Sequence, residues 1–196
     1  LTDDGSPVSD PALMRRALEH AAMLGFVVTC HSEDKSLAQN GHMHEGYWST
    51  HLGLAGIPAA AEELGVARDL LLSRETGAPI HIAHVSTRGA VDLLRLAKRS
   101  WGVDVSAETA PHYLELTDRE LVGYSTNLKM NPPLRTEADR QALLEAVADG
   151  TIDCIATDHA PHAAMEKDVE FDKAPFGVIG LSTSFAVAHT QLVASG

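Results

Sequence analysis

The chain is short of cysteine, short of basic residues and without a long apolar run, and each shortage closes off a class of function. Its two cysteines, Cys30 and Cys154, are far apart in sequence and show no Cys-x-x-Cys spacing. That excludes a disulfide framework, and both read as small buried hydrophobes in a reducing compartment. Lys and Arg number 15 against 27 Asp and Glu, for a net charge of -12. Such an acidic balance favours solubility and argues against nucleic acid or an anionic membrane as partner. Without some 18 consecutive apolar residues, and without a basic, apolar and small-residue start, neither a membrane span nor an export signal is expected, and the cytoplasm is the expected compartment.

What the chain does have is an apolar run that breaks abruptly into polar chemistry. Ile152-Asp-Cys-Ile-Ala-Thr leads into Asp158-His159-Ala-Pro-His162, and a run of this type reads as a strand buried on both faces. Phe26 to Cys30 ends in the same way on His31-Ser-Glu-Asp34, and Ile80 to Ala83 ends on His84-Val-Ser-Thr87. The opening Thr2-Asp3-Asp4-Gly5 reads as the tail of a strand. Four successive strand ends carrying Asp4, His31, His84 and Asp158 form a converging set of metal-ligand types, at the end of the strands where a parallel barrel keeps its chemistry.

The segments between alternate with these strands. Asp10-Pro11 caps a helix over Leu13, Met14, Ala17, Leu18, Ala21 and Leu24 that stops at Gly25. Residues 32 to 57 read as a long loop with a short helix, and His42-Met-His44 within it reads as surface histidine rather than a second metal site. Pro58 opens a helix with Ala61, Leu64, Ala67, Leu70 and Leu71 inside, ending at Gly77. Thr87 caps a third helix over Val91, Leu93, Leu94 and Ala97, and a strand follows at Val103–Ala107. Thr117 to Glu120 has capping-box spacing, Thr136 starts a helix to Gly150, and a last helix is expected from Thr183 to Val193. Strands alternating with helices imply parallel βαβ units, about four and a half of them, in one domain over residues 1–196 or a large piece of one. At 196 residues the chain is shorter than the ~250 typical of a closed (β/α)8 barrel.

Several motifs together resemble dihydroorotase of the bacterial type, within the amidohydrolase superfamily of metal-dependent (β/α)8 TIM barrels. They are Thr2-Asp-Asp-Gly5, His31-Ser-Glu-Asp34, Met43-His-Glu-Gly46, Ala83-His-Val-Ser-Thr87, Glu108-Thr-Ala-Pro-His112, Lys129-Met-Asn-Pro-Pro-Leu-Arg135, Asp149 to His162, and Ala174-Pro-Phe-Gly177. The resemblance places the chain from the end of strand four to beyond strand eight. It implies zinc as cofactor, two ions per complete site, with Asp4 as the bridging carboxylate and His31, His84 and Asp158 as further ligands. Asp158 is also the implied general base and acid, while Asn131, His162 and the Phe176-Gly177 backbone are implied to hold the substrate. The implied reaction interconverts N-carbamoyl-L-aspartate and dihydroorotate.

Two departures accompany the likeness. The His-x-His with a nearby arginine that the family carries on strand one has no counterpart upstream of Asp4, so the chain is expected to be the second half of a barrel. Ser182 stands where many relatives carry Glu. A half barrel exposes two sheet edges, which favours self-association. Allantoinase or hydantoinase is the rival activity, and a non-catalytic partner of aspartate transcarbamoylase is the rival class. His112, Glu108 and His159 stay open between supporting the ligands and ordinary burial, and residues 163 to 174 are expected to be a mobile lid.

Overall fold

The computed structural model describes residues 1–194. Helix α1, Pro11–Leu24, begins where Asp10 accepts hydrogen bonds from the amides of Ala12 and Leu13 at 2.7 and 3.3 Å, and it ends on Gly25 at φ 70°. These are the two ends that the sequence marks, an oxygen for orphan N–H groups and a residue without a Cβ for the left-handed turn. Strand β1 (Val28–Cys30), helix α2 (Lys35–Ala38), strand β2 (Met43–His44), helix α3 (Tyr47–Leu52) and strand β3 (Gly56–Ile57) follow. Then come α4 (Ala59–Thr76), β4 (Ile80–Ile82), α5 (Arg88–Leu96), β5 (Val105–Thr109), α6 (Pro111–Glu115), α7 (Glu137–Ala148), β6 (Cys154–Ile155), α8 (Ala164–Lys167) and α9 (Ser184–His189).

Four of the strands form one parallel sheet in the order β1-β4-β5-β6. Val28, Ile80 and Val105 stand in register, as do Thr29, His81 and Ser106. Thr2 bridges to Thr29 in parallel on the outer side of β1, the strand tail expected from Thr2 to Gly5. Because side chains alternate along a strand, the sheet has two unlike faces. Val28, Cys30, Ile80, Ile82, Val105 and Ala107 are buried in the main core. Helices α1, α4, α5 and α7 pack successively beside one another over that core. The alternate positions Thr29, His81, Ser106 and Glu108 are only half-buried, and His81 joins two of the others, its Nδ1 lying 2.8 Å from Ser106 Oγ and its Nε2 3.0 Å from Glu108 Oε2.

The structure corrects several expectations. The strand read over residues 152–157 is only Cys154–Ile155, and its side chains are exposed and half-buried rather than buried on both faces. It pairs with β5 on one side alone among the described residues, so Cys154 is exposed where a buried thiol was expected, whereas Cys30 is buried as read. Strand β5 is displaced to Val105–Thr109 from the expected 103–107. Helix α4 has the expected limits but a different inner face. Leu64 and Leu71 are exposed, and Glu62, Gly65, Val66, Asp69 and Leu70 are buried. The long loop over 32–57 is organised by two short helices and by the parallel pair β2–β3.

His44 is not a surface histidine: it is buried, and its Nδ1 accepts from an Arg135 guanidinium nitrogen at 3.2 Å. Burial, with Arg135 beside it, pushes its pKa down to about 4. Residues 163–174 are joined to neighbouring loops by hydrogen bonds. The Lys167 ammonium donates to the carbonyls of Thr126 and Pro175 at 3.1 and 2.7 Å, that of Lys129 donates to the carbonyls of Phe171 and Asp172, and Phe171 and Ala174 are buried. The last helix is α9 followed by a wider π-type turn over Thr190–Ala194.

Gly65 shows how close α4 comes to the sheet. A Cβ there would stand 2.6 Å from the Ser32 carbonyl carbon and 2.7 Å from the Glu33 amide nitrogen, both backbone atoms with nowhere to move. Substituting Gly65→Ala is expected to destabilise the protein by about 1–3 kcal/mol through overpacking. A thermal melt of the variant coinciding with the parent's would contradict this close packing.

Candidate metal centre

Three strand ends and the opening turn deliver the candidate ligands. Asp3 fastens the turn to β1, one carboxylate oxygen accepting the His31 amide at 2.8 Å and the other the Val8 amide at 2.8 Å. Asp4 is thereby held over the ends of the strands, its own Oδ1 capped by the Gly5 amide at 2.8 Å. His31 directly follows β1, and His84 stands two residues beyond β4. His84 and Asp158 adopt φ of 37° and 45°. The left-handed region is uncommon for residues other than glycine, though Asp and His enter it more readily than most, and residues held there concentrate at functional sites.

The donor atoms of Asp4, His31 and His84 converge. His31 Nδ1 lies 2.9 Å from His84 Nε2 and 3.2 Å from Asp4 Oδ1, and His84 Nε2 lies 3.5 Å from Asp4 Oδ1. Ligands at 2.0–2.1 Å around a tetrahedral ion are about 3.3 Å apart, so the spacing and the N,N,O chemistry fit a divalent cation of the zinc type. Both histidines are buried and Asp4 is exposed, which leaves the group open on one side. Asp158 lines the same open cavity of about 450 Å³ as Asp4 and His84, together with Glu108 and His159. Its carboxylate stands outside the tight group of three.

The charges are coupled. A hydrogen bond with His84, opposed by partial burial and assisted by the fields of His84 and His31, holds the Asp4 carboxyl far below the usual carboxylate range. Burial works against a charge on His84, yet the hydrogen bond to Asp4 and the fields of Asp158, Asp4 and Glu62 outweigh it, so its pKa is raised. Asp158 moves the other way from Asp4. Burial is the main cause and Asp4 and Glu108 add to it, against His84 and His31, so its pKa is raised. Two carboxyls at one site whose pKa values are pushed apart are the usual sign of divided roles, one as ligand and one as proton carrier.

The four residues expected at the substrate fall into two neighbouring pockets. Asn131 and Phe176 line a cavity of about 220 Å³ with Glu33 and Ile57. His162 and Gly177 line another of about 360 Å³ with Asn127 and Lys167. His162 Nε2 lies 2.9 Å from the Phe176 carbonyl, and the Gly177 amide is already given to the Lys129 carbonyl at 2.9 Å. Gly177 has φ 140°, and a Cβ there would meet the Ala160 carbonyl oxygen at 2.6 Å and His162 Nε2 at 2.8 Å, so only glycine lets these two loops approach.

Of the undecided residues, His159 accepts from the amides of Gly180 and Leu181 at 3.1 and 3.3 Å and so shapes the next loop. Glu108 is paired with His81. His112 is buried with neither ring nitrogen partnered, and burial together with His84 lowers its pKa to about 3, leaving it neutral. Asp34 caps α2 and has no part in the centre.

Sequence reasoning passed over Glu33. Its Oε2 lies 3.8 Å from His31 Nε2, and its Oε1 accepts from the Asn131 amide at 3.0 Å. It stands where a carboxylate orients a ligating imidazole from behind. Its position two residues beyond His31, on an extended strand exit, was the available signal. Glu62 and Asp69, both buried on α4, were also missed.

Comparison with known proteins shows what the chain is similar to. Residues 1–90 match the family described as Dihydro-orotase-like. The chain is 60% identical over 195 residues to a dihydroorotase of Pelotomaculum thermopropionicum, and 54% identical over 196 residues to one of Acetivibrio thermocellus; each alignment covers 100% of the chain. Those alignments cover 45% and 46% of the two relatives, so the chain spans a little under half of their length. Among solved structures, an L-hydantoinase (dihydropyrimidinase) from Arthrobacter aurescens superposes with a TM-score of 0.85 at 27% identity, over 100% of this chain and 45% of that one. Over its whole length the chain is thus similar to somewhat less than half of these dihydroorotases, and its fold, α/β with parallel strands, is that of part of an amidohydrolase-type (β/α)8 barrel.

Proposed function

We propose that this chain supplies one side of the active site of a zinc-dependent dihydroorotase that interconverts N-carbamoyl-L-aspartate and dihydroorotate in pyrimidine synthesis. The observation that carries the reading is the convergence of Asp4 Oδ1, His31 Nδ1 and His84 Nε2 beside Asp158. The 60% identity to a dihydroorotase supports the choice of substrate. Asp4, His31 and His84 would hold the metal, two ions serving a complete site, with Asp158 as a further ligand. When bound, the metal supplies Lewis acidity, activating water near neutral pH and polarising the ring carbonyl under attack.

The chain's own residues do the rest. Asp158 accepts the proton of the attacking water on its carboxylate and returns it to the leaving ring nitrogen. Glu33 keeps the His31 ring turned so that Nδ1 faces the metal. Asn131, His162 and the Phe176-Gly177 backbone surround the substrate ring and its carboxylate, a role supported by the adjoining pockets they line. The acidic balance, and the absence among the described residues of any helix long and apolar enough to cross a membrane, accord with a cytoplasmic enzyme. Self-association, which open sheet edges favour, and docking to aspartate transcarbamoylase, which the resemblance implies, belong to the same reading.

The structural likeness to a hydantoinase favours one rival, a hydrolase of other cyclic amides. Rates on dihydroorotate, hydantoin and allantoin with the complete protein decide between them, and faster turnover of hydantoin or allantoin would refute the dihydroorotase reading. Removing metal with a chelator is expected to abolish turnover and adding Zn2+ to restore it. Full activity after exhaustive chelation would remove the metal from the reaction. Replacing Asp158→Asn is expected to cut kcat by about 10²–10⁴-fold, the span of general acid–base catalysis. A variant within threefold of the parent would assign the proton transfer elsewhere.

A further inference from the structure

Helix α4 carries two buried acids on one face, Glu62 and Asp69, two turns apart. A residue chosen for packing alone at such positions would be apolar, because burying a carboxylate is unfavourable unless it is fully hydrogen-bonded. Each acid is so bonded, and each grips the chain just after one of the histidines. Asp69 Oδ2 accepts the Ser32 hydroxyl at 2.8 Å, and Oδ1 is held by the Arg68 guanidinium at 2.7 and 2.9 Å. Ser32 directly follows His31.

Glu62 does the same for the other histidine. Its Oε1 accepts the amides of Ser86 and Thr87 at 2.9 and 3.0 Å and the Thr87 hydroxyl at 3.1 Å, and its Oε2 accepts the Ser86 hydroxyl in a short hydrogen bond. Ser86 stands two residues after His84, whose left-handed φ has to be held by its surroundings. Arg135 extends the network, lying 3.6 Å from Glu62 and donating to Ser86 Oγ at 3.1 Å and to the Ile57 carbonyl at 2.9 Å. It closes the loop that carries Asn131. Gly65, between the two acids on the same face, lets α4 approach closely enough for both grips.

We propose that Glu62 and Asp69 are positioning residues that aim His84 Nε2 and His31 Nδ1 at the point they share with Asp4, so that one helix sets the geometry of both imidazoles. Neither acid is among the converging donor atoms. The inference rests on the metal-dependent reading of the site, and not on which cyclic amide is the substrate.

The test uses the complete protein carrying these residues, loaded with Zn2+ and titrated with a competing chelator, beside thermal melts and steady-state kinetics. Ser86→Ala and Ser32→Ala each delete one hydroxyl from a grip and leave both carboxylates in place, and Glu62→Gln and Asp69→Asn weaken the grips from the other side. Each variant is expected to lose Zn2+ to the chelator about 10-fold more readily and to lower kcat with little change in KM, while exposed Glu75→Gln on the same helix changes neither. Where an acid variant fails to fold, the serine variants decide. Folded Ser32→Ala and Ser86→Ala proteins that retain Zn2+ as the parent does would overturn this proposal alone. A parent protein that retains no Zn2+ would overturn the metal-site reading, and this inference with it.

Discussion

Parallel pairing of β1, β4, β5 and β6 is the constraint on which the site depends. In a parallel sheet every strand exits at the same end, so residues 27 to 154 positions apart in sequence come together without any contact between their own segments being specified. The hydrogen-bond ladder does the assembling. It brings the exits carrying His31, His84 and Asp158 to one rim, and the bridge from Thr2 to Thr29 adds Asp4. Once on that rim, the histidines and Asp4 lie closer than apolar or merely solvated groups would settle, with two imidazole nitrogens 2.9 Å apart. That spacing suits an N–H···N hydrogen bond between neutral rings.

The helices that cover the sheet are more than a hydrophobic lining. Helices α1 and α5 contribute apolar residues such as Leu18, Val91 and Leu94 to the main core. Helix α4 contributes Val66 and Leu70 together with two carboxylates and a glycine, and each of these polar or missing side chains has an identified structural consequence at the rim. The structure thus spends burial of charge on orientation rather than on stability, as expected where ligand geometry must hold to a fraction of an ångström. Asp3 and Glu33 extend the same logic, one holding the His31 amide and the other facing the far side of its ring.

Half-buried Thr29, His81, Ser106 and Glu108 show what the segment leaves open. They occupy the sheet face opposite the helices and meet their hydrogen-bonding needs partly among themselves. Together with exposed Cys154 they line a face that a closed barrel turns inward. The chain spans under half of the proteins it matches, and in a closed barrel further strands pair at the two edges of the sheet.

The sequence by itself determined the limits of the first helix and marked the candidate ligands. Asp10, Pro11 and Gly25 bound the first helix because capping chemistry is local, and Asp4, His31, His84 and Asp158 stood out because an apolar strand that breaks into an acid or imidazole is visible in one dimension. Periodicity placed α4 within a residue of its limits but misjudged its inner face, since hydrophobicity alone assigns Leu64 and Leu71 to the core and Glu62 and Asp69 to water. Only the tertiary structure reversed that assignment, because the partners that make a buried carboxylate tolerable, Ser32, Ser86, Thr87 and Arg135, lie tens of residues away along the chain. It likewise decided that His44 is buried against Arg135, that residues 163–174 are joined to neighbouring loops through Lys167 and Lys129, and that Glu33 stands behind His31. The first two depend on contacts between distant segments that no local pattern encodes, whereas Glu33 lies two residues from His31 and its spacing was readable.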